Sequence, residues 1–354
     1  MGDDHHRAHA ETLYRHRRRE EQLVTITSFP SRGLTAAGAV LSTALLLTAC
    51  NGGSPEETET ADAADTGFPA TLDTQYGELE VEEKPERVFV VGSPLDVDIL
   101  DALGEPAEVY GGGAGEDNAL ELAPWVEGLY GEYVEGLIAG NKPDAEAVAA
   151  QNPDLIIYFG AGAPLEQSSY AQLSEIAPTY AYANLPPYQD EIENIGKLTG
   201  TTDRVDEVTG RIDEDFAEAR EKLSGLQGKT FFQGIASADG IYSINGAANF
   251  FEPLGFKPSD NQPTGDMTQT LSPEKLDEID ADVVVLGGED EPRQKLEDDS
   301  RFDSLPAVKN GTMVIAGPKE NYLPMPTQIG PSSVPFILDK LVPQLEDSKL
   351  NQEG

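Results

Sequence analysis

Histidine and cysteine are the side chains best suited to acid–base, nucleophilic and metal chemistry, and this 354-residue sequence places all of them before position 51. His5, His6, His9 and His16 fall in the opening segment, and Cys50 is the single cysteine. Past that point no imidazole remains for general acid–base work or for ligating zinc or haem, and no second thiol can form a disulfide. No Gly-x-Ser-x-Gly nucleophile turn occurs either, which leaves a secreted hydrolase as a remote alternative. Gly228-Lys229-Thr230 fails as a phosphate loop, because Leu223 stands where the earlier glycine is needed and Lys229 opens a strand. The Gly111–Gly115 run lacks dinucleotide spacing and reads as a loop on which no helix opens. Glu289-Asp290-Glu291 offers oxygens of the kind a hard cation takes, but such a run reads first as a solvated loop. With 24 basic against 64 acidic residues and a net charge of −40, the surface repels phosphate backbones, so nucleic acid is excluded as a partner. An excess of carboxylates on this scale is also common in proteins from high-salt habitats. The chemistry left to this sequence is binding, by aromatic rings and carboxylates.

The elements that must position those groups are legible. Arg87–Gly92 and Asp154–Gly160 are short apolar runs closed by glycine, which is the pattern of strands buried on both faces. Lys229–Gln233, Val283–Leu286 and Met313–Ala316 read the same way, and helical segments such as Leu95–Leu103, stopped by Gly104, alternate with them. The expected fold is α/β, with mainly parallel sheets. A weak repeat runs through it. Glu146…Asp154-Leu-Ile-Ile returns as Glu274…Asp282-Val-Val-Val with the same Glu-to-Asp spacing, and Ile176-Ala-Pro178 is mirrored by Leu305-Pro-Ala307. Two matches in register predict two lobes of similar build. Between them, Ile192, Ile195 and Leu198 form one helical stripe, and Val205, Val208, Ile212, Phe216, Ala219 and Leu223 a longer one, predicting a stiff helical connector. The boundaries read as 1–49 signal peptide, 50–68 flexible tether, 69–186 first lobe, 187–227 connector, 228–347 second lobe and 348–354 tail.

Within the signal region, Leu34–Ala49 is apolar but too short to span a bilayer, at about 24 Å against roughly 30 Å of hydrocarbon. Leu47-Thr48-Ala49-Cys50 resembles the bacterial lipobox, in which the cysteine is diacylated and becomes the mature N-terminus. That resemblance implies lipidation of Cys50 and a stable anchor on the outer face of the cytoplasmic membrane.

Lys84-Pro-Glu-Arg-Val-Phe, Asn152-Pro-Asp-Leu-Ile-Ile157, Tyr170-Ala-Gln-Leu-Ser-Glu-Ile-Ala-Pro178, Leu271-Ser-Pro-Glu274 and Leu305-Pro-Ala-Val-Lys309-Asn-Gly311 follow one another in a telling order. They resemble the helix-linked class of ABC-importer substrate-binding lipoproteins, in particular the iron-siderophore branch related to the ferric-enterobactin binder, over roughly residues 76–346. The resemblance implies two Rossmann-like lobes with a ligand cleft between them, no catalysis and no cofactor beyond the iron–siderophore cargo. The implied partners are a ferric siderophore and an ABC permease dimer with its cytoplasmic ATPase, for a monomeric, extracytoplasmic protein. Haem or cobalamin is the alternative cargo within the same fold. In that family a glutamate in each lobe pairs with an arginine of the permease, and the matching positions here are Glu146 and Glu274. Read locally, each glutamate sits two residues after an expected N-cap, Asp144 or Ser272, where the helix dipole favours an anion.

The candidate ligand contacts are aromatic residues near strand ends: Tyr110, Trp125, Tyr158, Tyr182 and Tyr188 in the first half, Tyr242 and Tyr322 in the second. Arg293 and Lys319 follow strands and can reach the cleft mouth. Between Val88 and Gly196 the one basic residue is Lys142. A triscatecholate trianion needs several cations in its cleft, so this distribution favours a neutral or cationic chelate of the ferric hydroxamate type.

Overall fold

Val88-Phe89-Val90-Val91 has no polar position, so a strand built from it must be covered on both faces. The computed structural model bears this out. It describes residues 67–353 apart from 114, 140–141, 161–163, 244–245, 264–268, 289 and 317–328, and the predicted signal peptide, Cys50, Lys319 and Tyr322 lie outside the described residues. An antiparallel hairpin, β1 (Ala70–Thr74) and β2 (Gly77–Val81), comes first. Then follow β3 (Val88–Val91), α1 (Pro94–Leu103), β4 (Ala107–Gly112), α2 (Glu116–Leu122), β5 (Tyr130–Glu135), the short pair β6 (Ile138–Ala139) and β7 (Lys142–Pro143), α3 (Ala145–Ala149), β8 (Leu155–Phe159), α4 (Gln167–Ser174) and β9 (Thr179–Tyr182). The five long strands form one wholly parallel sheet in the order β5-β4-β3-β8-β9.

Two helices, α5 (Tyr188–Thr199) and α6 (Thr202–Lys222), lead to the second lobe. It contains β10 (Thr230–Ser237), β11 (Gly240–Ser243), α7 (Ala247–Phe251), β12 (Lys257–Pro258), β13 (Gln269–Leu271), β14 (Val283–Gly288), α8 (Asp290–Glu297), α9 (Pro306–Asn310) and β15 (Met313–Ile315). Helices α10 (Ser333–Glu346) and α11 (Lys349–Glu353) close the chain. The second sheet runs β13-β11-β10-β14-β15. Its β10, β14 and β15 are parallel, while β11 and β13 are antiparallel, so the two lobes share a parallel centre and differ at one edge.

Strand alternation divides the core. Val88, Val90, Leu155, Ile157, Val283 and Val285 point into one large cluster, which α1, α5, α6 and α10 complete with Ile99, Ile195, Phe216 and Ile337. Phe89, Val91, Ile156 and Tyr158 fill a second cluster behind the first sheet, and Phe232, Val284 and Leu286 a third behind the second sheet. The large cluster runs continuously from one lobe through the connector to the other. Each fully buried Leu, Ile or Phe in it contributes about 1.5–3 kcal/mol, and this makes the connector a strut. The predicted stripes are the buried faces: Ile192, Ile195 and Leu198 on α5, and Val208, Ile212, Phe216 and Ala219 on α6.

Three local expectations change. The Gly111–Gly115 run is partly strand, and α2 does open on it, with Gly115 as its N-cap. Glycine is needed at Gly111 because a β-carbon there would lie 2.3 Å from the Val134 carbonyl oxygen of the neighbouring strand. The acidic run is no loop beyond Glu289, since Asp290 and Glu291 form the first turn of α8, where the helix dipole favours them and Arg293 and Lys295 pair with them. Ser272 makes no capping bond, and Pro273–Glu278 is a 3₁₀ run, non-helical at Lys275.

Candidate functional site

Parallel strands deliver their carboxyl ends to one edge of a sheet, and in open α/β folds ligands bind there. In the first lobe that edge carries Gly92 and Ser93 after β3, Gly112 and Gly113 at the end of β4, Phe159 and Gly160 at the end of β8, and Tyr182 at the end of β9. The Gly92 amide donates to the Gly111 carbonyl at 2.8 Å, tying two of these ends together. The Phe159 and Tyr182 rings meet at 5.1 Å, and Tyr182 stacks on Tyr180 at 5.3 Å.

Under these rings lies a buried pair of acids. Ser93 caps α1, and Asp96 sits three residues later, fully buried. Glu191, in the first turn of α5, is buried as completely. The Tyr182 hydroxyl donates to Asp96 Oδ1 at 2.8 Å and the Tyr180 hydroxyl donates to Glu191 Oε2 at 2.8 Å. Asp96 Oδ2 and Glu191 Oε1 have no other partner, and the two carboxyls lie within hydrogen-bonding reach of each other. One proton shared between those oxygens satisfies both and leaves one buried charge instead of two. Burial raises both carboxyls above their ordinary range; the hydrogen bonds from Tyr182, Ser93 and Glu191 pull Asp96 part of the way back, whereas the Asp96 charge raises Glu191 further and the Tyr180 hydrogen bond offsets part of that. Desolvation likewise raises the Tyr110, Tyr180 and Tyr182 phenols, with Asp96 adding to all three.

Of the candidate ligand contacts, Tyr110 and Tyr182 therefore converge on Asp96. Tyr110 is almost fully enclosed, edge-on to Tyr130 and Tyr133 at 5.2 and 5.3 Å. Tyr158 is buried on the opposite face of the sheet. Tyr188 points into the connector, where its hydroxyl donates to Asp213 and its ring lies against Phe216. Trp125 is half-buried against Phe336 of α10, 5.8 Å between ring centroids. Tyr242 lies part-exposed on β11, in register with Thr270 of β13. The first lobe thus brings two of its five aromatic candidates to one place and gives Tyr188 a structural task instead.

Lys142 and Arg293 are both paired with carboxylates, although the buried Arg293 Nε has no partner among the described residues. Lys142 Nζ sits 2.9 Å from Glu166 Oε2, with both side chains well exposed. Arg293 is not a free donor as expected: its guanidinium is clamped within α8 by Asp290 at 3.1 Å and Glu297 at 2.7 Å.

Glu146 and Glu274 are both exposed, but they stand on different supports. Asp144 caps α3 as expected, accepting from the Glu146 and Ala147 amides at 3.1 Å. Glu274 lies on the 3₁₀ run, and Arg301 donates to its carbonyl at 2.5 Å and to that of Pro273 at 3.0 Å. Arg301 is anchored in turn by Asp299, whose carboxyl its hydrogen bonds pull down to about 2.

Sequence reasoning missed Ser93, Asp96, Tyr180, Glu191 and Arg301. Asp96 and Glu191 read as ordinary acids of helix first turns, so nothing in their spacing marks them as buried or paired. The signal available was an acid inside an otherwise apolar helix face, between Leu95 and Val97.

Residues 90–320 match the family model described as periplasmic binding protein. Among curated relatives, the ferric enterobactin-binding periplasmic protein FepB of Escherichia coli is 27% identical over 161 residues, 44% of this chain and 50% of that protein, so the match spans about half of FepB. The iron(3+)-hydroxamate-binding protein FhuD of Bacillus subtilis is 25% identical over 336 residues, 87% of this chain and 97% of that protein. Among solved structures, the iron uptake ABC transporter substrate-binding protein PiaA of Streptococcus pneumoniae superposes with a TM-score of 0.63 at 21% identity, covering 80% of this chain and 100% of PiaA. Its complex with ferrichrome gives a TM-score of 0.62 at 23% identity, covering 80% of this chain and 99% of PiaA.

Proposed function

Since the chain belongs to the periplasmic binding protein family, we propose that it captures a ferric siderophore outside the cytoplasmic membrane and delivers it to an ABC importer. The relatives point to that cargo class: FepB is named for ferric enterobactin, FhuD for iron(3+)-hydroxamate, and PiaA was solved with ferrichrome. The activity is binding rather than turnover. The partner is a permease dimer driven by a cytoplasmic ATPase, and Glu146 and Glu274 are the docking feet. Cys50 carries the lipid that keeps the protein on the outer face of the membrane. Among the described residues no helix is long and apolar enough to cross a bilayer.

The observation that carries the choice of cargo is the state of Lys142 and Arg293, the two basic side chains weighed for the cleft that lie among the described residues. Lys142 is bound to Glu166, and Arg293 is held by Asp290 and Glu297. A triscatecholate trianion needs several cations and would meet two already paired with carboxylates, in a protein of net charge −40. A neutral ferric hydroxamate makes no such demand: aromatic surface and one or two donors to its metal-bound oxygens suffice.

Fluorescence titration tests this. Trp125 is the single tryptophan. Ferrioxamine B should quench it saturably, and ferric enterobactin should bind at least about tenfold more weakly, a difference of about 1.4 kcal/mol. The reverse order would overturn the hydroxamate reading, and saturable binding of haemin alone would overturn the siderophore reading. Mass spectrometry of ligand retained by protein from iron-starved cells identifies the natural chelate.

A further inference from the structure

The two docking feet match in sequence and differ in construction. The first is a helical turn held by its own cap: the Asp144 carboxylate accepts from the amides of Glu146 and Ala147. The second has no such cap. The Ser272 side chain makes no capping bond, its carbonyl alone accepting from the Lys275 amide at 2.8 Å, and the 3₁₀ run breaks its own dihedral pattern at Lys275, with φ −105° and ψ 21°. A 3₁₀ turn has poorer hydrogen-bond geometry than an α-turn, so an uncapped one holds its side chains loosely.

Something else holds this turn. Arg301, beyond α8 in the chain, lays its guanidinium under it. Its Nη1 donates to the Glu274 carbonyl at 2.5 Å and its Nη2 to the Pro273 carbonyl at 3.0 Å. The plane of that fork is set from the other side by Asp299, which accepts from Arg301 Nε at 3.0 Å and Nη2 at 2.7 Å. The Asp299 carboxylate also accepts from the Arg301 amide at 2.9 Å. Asn261 secures the far end of the run by donating to the Glu278 carbonyl at 2.5 Å. A planar guanidinium holds its donors in a fixed fork, here aimed at a carboxylate and two consecutive carbonyls, whereas a lysine ammonium is a point charge with rotatable donors on a flexible stem.

We propose that Arg301 is the positioning residue of the second docking foot, fixing the backbone at Pro273 and Glu274 so that the Glu274 carboxylate meets the permease in one orientation. The inference rests on the docking role of Glu274 given above. It carries a sign that separates geometry from charge. Arg301 is a cation beside a carboxylate whose expected partner is a permease arginine. By Coulomb's law alone, removing it strengthens docking. As a clamp, removing it weakens docking even though an opposing charge has gone.

The test uses the full chain in cells lacking the native copy, with uptake of radio-iron ferrioxamine as one readout and ferrioxamine affinity of the purified protein as the other. R301K keeps the charge and loses the fork, and R301Q loses both. Each should lower uptake roughly tenfold, the cost of one charge-assisted hydrogen bond's worth of order, while ligand affinity stays within about twofold. Amides of residues 274–279 should exchange faster with deuterium in both variants, whereas those of the Asp144–Ala149 foot should not. D299N leaves the guanidinium in place but frees its plane, and should give an intermediate loss. Wild-type uptake by R301K, or raised uptake by R301Q, overturns the inference. E274K separates this from the docking reading. If E274K transports normally, docking through Glu274 is wrong. If E274K fails while R301K transports normally, only the clamp is wrong.

Discussion

Asp154 and Asp282 do the same work in the two lobes. Asp154, just before β8, accepts from the Glu86 and Arg87 amides at 2.8 Å, and Asp282, just before β14, accepts from the Thr230 amide at 2.9 Å and its hydroxyl at 3.1 Å. Each aspartate leads into a central strand and fixes the start of the strand beside it, where Val88 pairs with Leu155 and Phe231 with Val283. The internal repeat in the sequence is thus a repeated register lock, since a parallel pair has no hairpin turn to set its register.

Removing either lock should cost stability without touching the ligand site. D154A and D282A each strand backbone donors near the surface, at about 1–2 kcal/mol apiece. Far apart and without shared partners, they should add in the double variant. Urea unfolding of the two singles and the double checks this; a double variant no less stable than either single would contradict it.

The Asp96–Glu191 pair predicts a pH dependence. Folded-state carboxyl affinities for protons are raised above the ordinary carboxylate range, so the unfolded chain holds fewer protons and stability falls as pH rises. Asp98, buried and raised to about 6, adds to the slope in the same direction. Their contribution is complete below about pH 4, the ordinary carboxylate range, and is lost progressively as pH rises through the folded-state values. The groups facing the pair, Ser93, Tyr110, Tyr180 and Tyr182, are phenols and a hydroxyl, and Asp190 adds only negative charge. Melting temperature should therefore fall between pH 5 and pH 8, and E191Q, which carries its own donor, should flatten that slope. An unchanged slope in E191Q would refute the shared proton.

Asp98 also joins the lobes. Its carboxylate accepts from the Ser332 amide at 2.9 Å and the Ser333 amide at 3.1 Å, capping α10 from α1 of the other lobe. D98A leaves those amides unpaired at a buried helix terminus and should cost about 1–3 kcal/mol. Hydrogen exchange should locate the loss in the first turn of α10; a loss confined to α1 would exclude the capping role.

Reversing both docking feet, E146K with E274K, should abolish uptake and leave ferrioxamine affinity intact. Both glutamates are exposed, and under the proposed docking role they would set encounter and orientation rather than hold the ligand. Uptake at the wild-type rate would remove docking through these residues.

The sequence by itself determined five of the parallel strands, the connector and the order of lobes, but not the β1–β2 hairpin or the antiparallel edge of the second sheet. Apolar runs such as Leu155–Tyr158 can satisfy their backbone and their side chains only inside a covered parallel sheet, and the α6 stripe has one face to bury. It determined the caps at Asp144 and Gly104 too, because a cap acts within a few residues of itself. Contacts between distant residues were decided by tertiary structure alone. Asp96 and Glu191 look like two helix-start acids until β9 sets Tyr180 and Tyr182 against them. Arg301 looks like a surface cation until the chain folds it beneath Pro273 and Glu274, and Arg293 looks like a free ligand donor until α8 forms and its own carboxylates take it up. Local spacing encodes dihedral preference and face, whereas a charge's role depends on which neighbours remove it from water, and those neighbours come from elsewhere in the chain.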